Sequence, residues 1–118
     1  MTYTPKEING VSCLVYSDGE CLLTENDVND ILSAGFSHDI PRILLYDKIL
    51  SDDFFRLQTG LAGILLQKCA NYQFKAAVVL TDAARAGIRF RELMGETNQG
   101  QIFAVFATQE KAEAWLTN

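Results

Sequence analysis

The apolar positions of this chain change their spacing from segment to segment, and each spacing predicts an element. Asn9-Gly10 is a strong hairpin turn, because both residues tolerate positive φ. It joins a first strand near Tyr3–Ile8 to a second at Val11–Tyr16. Ser17-Asp18-Gly19 then turns the chain, and Cys21–Leu23 extends or re-pairs the second strand. Thr24 is placed to cap a helix whose first turn carries Glu25 and Asp27, favourable at the positive end of the dipole. Val28, Ile31 and Leu32 keep helical spacing, and Gly35 reads as the stop. Behind Pro41, Arg42–Asp47 holds consecutive apolar residues, the pattern of a strand buried on both faces.

The second half repeats this rhythm. Ser51-Asp52-Asp53 starts a short helical turn through Phe54 and Phe55. A helix follows from about Thr59 to Ala70, with Leu61, Ile64, Leu65 and Cys69 on one face. Phe74–Leu80 is a fourth strand. Asp82 is placed to cap a third helix running to about Met94, with Gly95 as its stop, and Gly95–Gly100 reads as a polar loop. Gln101–Ala107 is a fifth strand, and Thr108 caps a last helix with Ala112, Trp115 and Leu116 facing inward. The order β-β-α-β-α-β-α-β-α predicts a single α/β domain over residues 1–118. Its five-stranded sheet is mixed but mostly parallel, with right-handed crossovers and an antiparallel N-terminal edge strand.

Composition narrows the function classes. The chain has 118 residues, 48% hydrophobic, which excludes disorder and suffices for one core. Its net charge of -5 argues against nucleic acid as a partner, which normally needs a basic patch. No apolar run approaches a membrane span, and Met1 to Lys6 carries no signal-peptide pattern, so a cytoplasmic protein is expected. Cys13, Cys21 and Cys69 are odd in number and lack CxxC spacing, so neither a disulfide framework nor a zinc site is expected.

The segment Asp53-Phe54-Phe55-Arg56-Leu57-Gln58-Thr59-Gly60-Leu61-Ala62-Gly63-Ile64-Leu65-Leu66, followed by Lys68 and then Phe74–Val79, resembles the signature of STAS domains, the sulfate-transporter and anti-sigma-factor-antagonist modules. Over nearly its full length the chain also looks like a small bacterial family catalogued as a domain of unknown function. Phe54 to Tyr72 and the C-terminal Glu113-Ala114-Trp115-Leu116 carry that likeness. The STAS resemblance implies a regulatory, protein-binding role and a hydroxyl at the helix start that accepts phosphate. The matching position is Thr59. A helix start can hold an anion, and Gly60 allows close backbone approach. The antagonists place an aspartate directly before the acceptor, whereas this chain has Gln58, with Asp52 and Asp53 further upstream. Helix capping by Thr59 is the preferred reading, and phosphate acceptance the alternative.

Further candidates lie beyond the carboxyl ends of the strands, where open α/β sheets bind ligands. Asp18, Asp47 and Asp82 could converge on a hard cation, although Asp82 equally suits a helix cap and Asp18 a turn. His38, beside Asp39, reads as a solvated loop histidine. Arg85, Arg89, Glu92 and Glu96 share one face at helical spacing: either a solvated surface or a stripe that recognises an acidic partner or phosphate. Phe54 and Phe55 either form a contact surface or dock beneath the loop, with docking preferred. No catalytic constellation, cofactor motif or metal motif emerges.

Three functions follow. The leading one is a non-catalytic regulatory module that binds another protein around Asp53, Phe54, Phe55, Gln58, Thr59, Gly60, Arg85 and Arg89. The second is a binder of a small apolar or anionic ligand between sheet and helices. The third is an enzyme using the carboxylates of Asp47 and Asp82. Association with a second copy of the chain stays open. The elements consume almost all of the chain, which leaves little loop for an elaborate active site and favours a binding surface.

Overall fold

The hairpin at Asn9-Gly10 forms as its composition requires. Asn9 has φ 49° and Gly10 φ 80°, and the two-residue loop sets Ile8 opposite Val11. The structure, a computed structural model, describes residues 2–19, 21–22, 24–97 and 100–118. Strands β1 (Thr4–Ile8) and β2 (Val11–Tyr16) pair antiparallel. Then β3 (Arg42–Tyr46), β4 (Lys75–Val79) and β5 (Phe103–Phe106) add in parallel, giving the sheet order β1-β2-β3-β4-β5. Helices α1 (Glu25–His38), α2 (Leu61–Tyr72) and α3 (Ile88–Thr97) make the crossovers, and α4 (Gln109–Leu116) closes the described chain.

The alternation of side chains along each strand divides the core in two. Leu14, Tyr16, Ile43, Leu45, Ala76, Val78 and Phe103 face α1, α2 and α3. Cys13, Val15, Leu44, Ala77 and Val79 face α4. Because the parallel strands add in one direction, a single hand of crossover puts all three connecting helices on the same side. Fully burying one of these large aliphatic or aromatic side chains stabilises the fold by about 1.5–3 kcal/mol.

Helix ends follow local chemistry. Thr24 closes a reciprocal cap, in which Asp27 N–H donates to Thr24 Oγ1 at 3.3 Å and Thr24 N–H donates to Asp27 Oδ2 at 3.0 Å. Thr108 Oγ1 accepts from Lys111 N at 3.3 Å. At the far end of α4, Lys75 Nζ donates to Trp115 O at 2.7 Å and Arg42 Nε to Leu116 O at 3.1 Å, satisfying carbonyls the helix leaves open.

Several boundaries differ from the expectation. Gly35 does not stop α1, which runs on to His38 and ends with Asp39 in the left-handed region, φ 55°. Gly35 is needed for packing: a Cβ there would lie 2.3 Å from the Phe74 ring. His38 therefore sits in a helix rather than a loop, and its Nε2 hydrogen-bonds the Tyr3 hydroxyl at 3.0 Å. Leu22 does not extend β2 but bridges to Leu50. Asp82 caps a short 3₁₀ turn (Ala83–Arg85), accepting from Ala84 N at 3.1 Å, and α3 begins only at Ile88. Gly95 lies inside α3. The expectations for Leu23, Asn98 and Gln99 fall outside the described residues.

Cys13 and Cys69 are buried, Cys21 is exposed, and all three are free thiols. Burial pushes the Cys69 thiol from its ordinary value of 9.0 to about 12. The unfolded chain ionises first, so native stability falls as pH rises from about 9 towards 12; burial raises Cys13, Tyr16 and Tyr46 in the same direction, so in urea titrations across that range Cys69→Ala will lessen the fall without abolishing it. Two glycine substitutions separate packing from propensity. Gly35→Ala lowers stability by about 1–3 kcal/mol through overpacking against Phe74. Gly63→Ala, on a helix face with open space, leaves stability unchanged or raises it by up to about 1 kcal/mol. Thermal and urea unfolding of the two variants check the contrast.

Candidate functional site

Beyond β3 the chain does not go straight into a helix. Three short 3₁₀ turns, Asp47–Ile49, Asp52–Phe55 and Leu57–Thr59, carry it to α2. Their backbone is held by side chains. Asp47 is 7% exposed, and its Oδ2 accepts from Thr81 N at 2.9 Å, Thr81 Oγ1 at 3.0 Å and Asp82 N at 3.3 Å. The carboxylate thus joins the carboxyl ends of β3 and β4. Arg85 returns the grip: its guanidinium donates to Asp47 O, to Leu50 O at 2.6 Å and to Asp52 Oδ1 at 3.1 Å. It also stacks 4.7 Å from the Phe55 ring centre.

Phe54 and Phe55 meet edge to face at 5.4 Å, and both are buried beneath these turns. Phe55 also packs on Phe90 of α3 at 5.3 Å. They belong to the main core rather than to a surface patch.

Thr59 holds the last turn. Its Oγ1 lies 2.5 Å from Asp53 O and 2.8 Å from Arg56 O, so one hydroxyl hydrogen is shared between two carbonyls, and the oxygen accepts from Leu61 N at 3.4 Å. The N-cap of α2 is Gly60, at φ 77°, not Thr59. Gly60 accepts the left-handed turn that brings the chain into the helix. Asp53 pairs with Arg56 at 3.5 Å, with both side chains more than half exposed, so the pair adds little stability.

Between these turns and the start of α3 lies a groove of about 320 Å³. Arg56, Gln58, Arg85 and Arg89 contribute its polar wall, and Phe55, Ile88 and Phe90 its apolar one. Ile88 is 75% exposed. Among the described residues Arg89 has no hydrogen bond or ion pair, and it is exposed. Asp52 and Asp53 answer two of the three arginines, which leaves one excess positive charge on a chain of net charge -5.

The structure brings Asp53, Phe55, Gln58, Thr59, Arg85 and Arg89 into one neighbourhood. It separates others. Arg85 lies before α3, so the stripe with Arg89, Glu92 and Glu96 is not one helix face. Asp47 and Asp82 touch through a backbone N–H, but each carboxylate is engaged by backbone donors. Asp18 accepts from its own neighbour, Gly19 N. No group of three or more metal-ligating side chains assembles among the described residues. Arg56 and Ile88 were not anticipated. Ile88 stands two residues from Phe90, which places it on the opposite side of a helix, and that spacing was the available signal.

A family model described as a domain of unknown function, DUF4180, matches residues 8–116. The chain belongs to the DUF4180 family. The match spans every element from β2 to α4, and so takes in the Asp47 junction and the groove segment of this chain. No solved structure matches this family member. Among the described residues no helix is long and apolar enough to cross a membrane.

Asp47→Ala removes the acceptor for three donors at once and lowers stability by about 1–3 kcal/mol, with Asp47→Asn retaining part of it. Urea unfolding measures the loss. Faster amide exchange at Thr81 and Asp82 in the alanine variant locates it.

Proposed function

We propose that this chain is a non-catalytic protein-binding module that docks an acidic segment of another protein in the Arg56–Arg89 groove. The supporting observation is Arg89. It stands exposed and without a partner among the described residues, beside an aliphatic side chain, Ile88, that is 75% exposed. A carboxylate of the incoming segment pairs with Arg89, and an aliphatic neighbour covers Ile88. Arg56 already pairs with Asp53 in solvent, at little cost to exchange for a second carboxylate. Arg85 is spent on carbonyls and Asp52, and it shapes the floor.

The STAS-like element order and the likeness around Thr59 favour a regulatory version of this reading. Thr59 lies on the same loop as Arg56 and Gln58. A phosphate on its hydroxyl removes the donor that ties Asp53 O and Arg56 O together. It also adds nearly two negative charges close to Arg56, where the acidic segment would sit. Modification therefore releases the partner.

A displayed library of random peptides, panned on the full chain, tests both parts. Selected peptides are expected to carry Asp or Glu beside an aliphatic residue. Their affinity is expected to fall at least tenfold with Arg56→Ser plus Arg89→Ser, fall again with added salt, and drop with Thr59→Glu but not with Thr59→Ser. Enrichment of neutral or basic peptides, or equal binding by the double serine variant, rejects the groove. Unchanged binding by Thr59→Glu rejects the switch.

A further inference from the structure

On the other side of Phe90 lies a larger cleft, of about 470 Å³. It opens between α3 and the carboxyl ends of β4 and β5, the edge at which parallel sheets expose their ligand crevices. Its walls are mainly apolar: Leu80, Ala86, Phe90, Met94, Val105 and Phe106. The volume lies in the range of small-molecule sites. The wall contains one charged side chain, Arg91, whose Nη2 donates to Ala83 O at 2.7 Å, with Ala83 itself at the cleft. That bond ties the guanidinium to the neighbouring 3₁₀ turn and leaves its other N–H groups to bind an anion.

Gly95 also lines this cleft. It sits inside α3, where glycine costs about 1 kcal/mol relative to alanine. Packing does not require it, because a Cβ there meets nothing within 4 Å. This contrasts with Gly35, whose Cβ would strike Phe74. The space beside Gly95 is therefore open, and a large side chain placed there would enter the mouth of the cleft.

We infer that this cleft binds a small amphiphilic carboxylate, with its hydrocarbon body against Phe90, Met94 and Phe106 and its head group on Arg91. The apolar wall excludes a strongly polar ligand, whose groups would lose water without finding partners. The single guanidinium favours one carboxylate over a neutral or cationic head. The site is independent of the Arg56–Arg89 groove.

Decanoate and decan-1-ol share a chain and differ in the head group, so together they separate charge from apolar burial. Titrated into the full chain and followed by amide chemical shifts, decanoate is expected to move Ala86, Phe90, Gly95 and Val105. Arg91→Gln is expected to weaken decanoate about tenfold and to leave decanol unchanged. Gly95→Trp, which fills the opening, abolishes binding of both, while Gly95→Ala keeps it. Absence of cleft shifts overturns the proposal, as does a decanoate affinity indifferent to Arg91→Gln. Shifts confined to Gln58 and Arg89 place the anion in the other groove and overturn it too, without touching the peptide reading. If Gly95→Trp fails to fold, the Arg91→Gln comparison still decides.

Discussion

One buried carboxylate organises the carboxyl-terminal edge of the sheet. Asp47 sits where β3 ends, and it can be buried only because three donors from Thr81 and Asp82 meet it. Meeting them fixes the exit of β4 against the exit of β3. That in turn sets the 3₁₀ turn carrying Ala83 and Arg85, and Arg85 reaches back to the carbonyls of Asp47 and Leu50. Both clefts are built on this junction. One takes Arg85 as floor, and the other takes Ala83 and Ala86 as wall. A group that looks like a catalytic acid by its place at a strand end is instead the keystone of two surfaces.

The two clefts share Phe90, which packs on Phe54 and Phe55 from α3. Polar chemistry lies on one side of it and apolar chemistry on the other.

Strands and their order were legible because the signals are local. Val-, Ile- and Leu-rich runs, an Asn-Gly turn and hydroxyl caps at Thr24 and Thr108 each act within a few residues. The failures come from distance. Gly35 looks like a helix stop until Phe74 arrives from another strand to occupy the missing side chain's place. Asp82 is correctly a cap, but of a 3₁₀ turn, since Gly87 and the pull of Arg85 towards Leu50 delay α3. Thr59 holds its own loop rather than the helix, because Gly60 takes the cap position. Half of the groove was foreseeable from Phe55, Gln58, Arg85 and Arg89. Arg56 and Ile88 join it only through tertiary packing, and the Arg91 cleft exists only where a helix meets a sheet edge.

The sheet order β1-β2-β3-β4-β5 repeats the chain order, so each strand pairs with the one made just before it. β2 closes only a two-residue turn, and each later strand closes a loop holding one α-helix, never a loop spanning the molecule, so the entropy of each closure stays small. Assembly can therefore proceed stepwise from the N-terminal hairpin, in the direction in which a ribosome delivers the chain. The last crossover, through α3, is the one that forms the clefts. The clefts thus appear late, on a scaffold already folded.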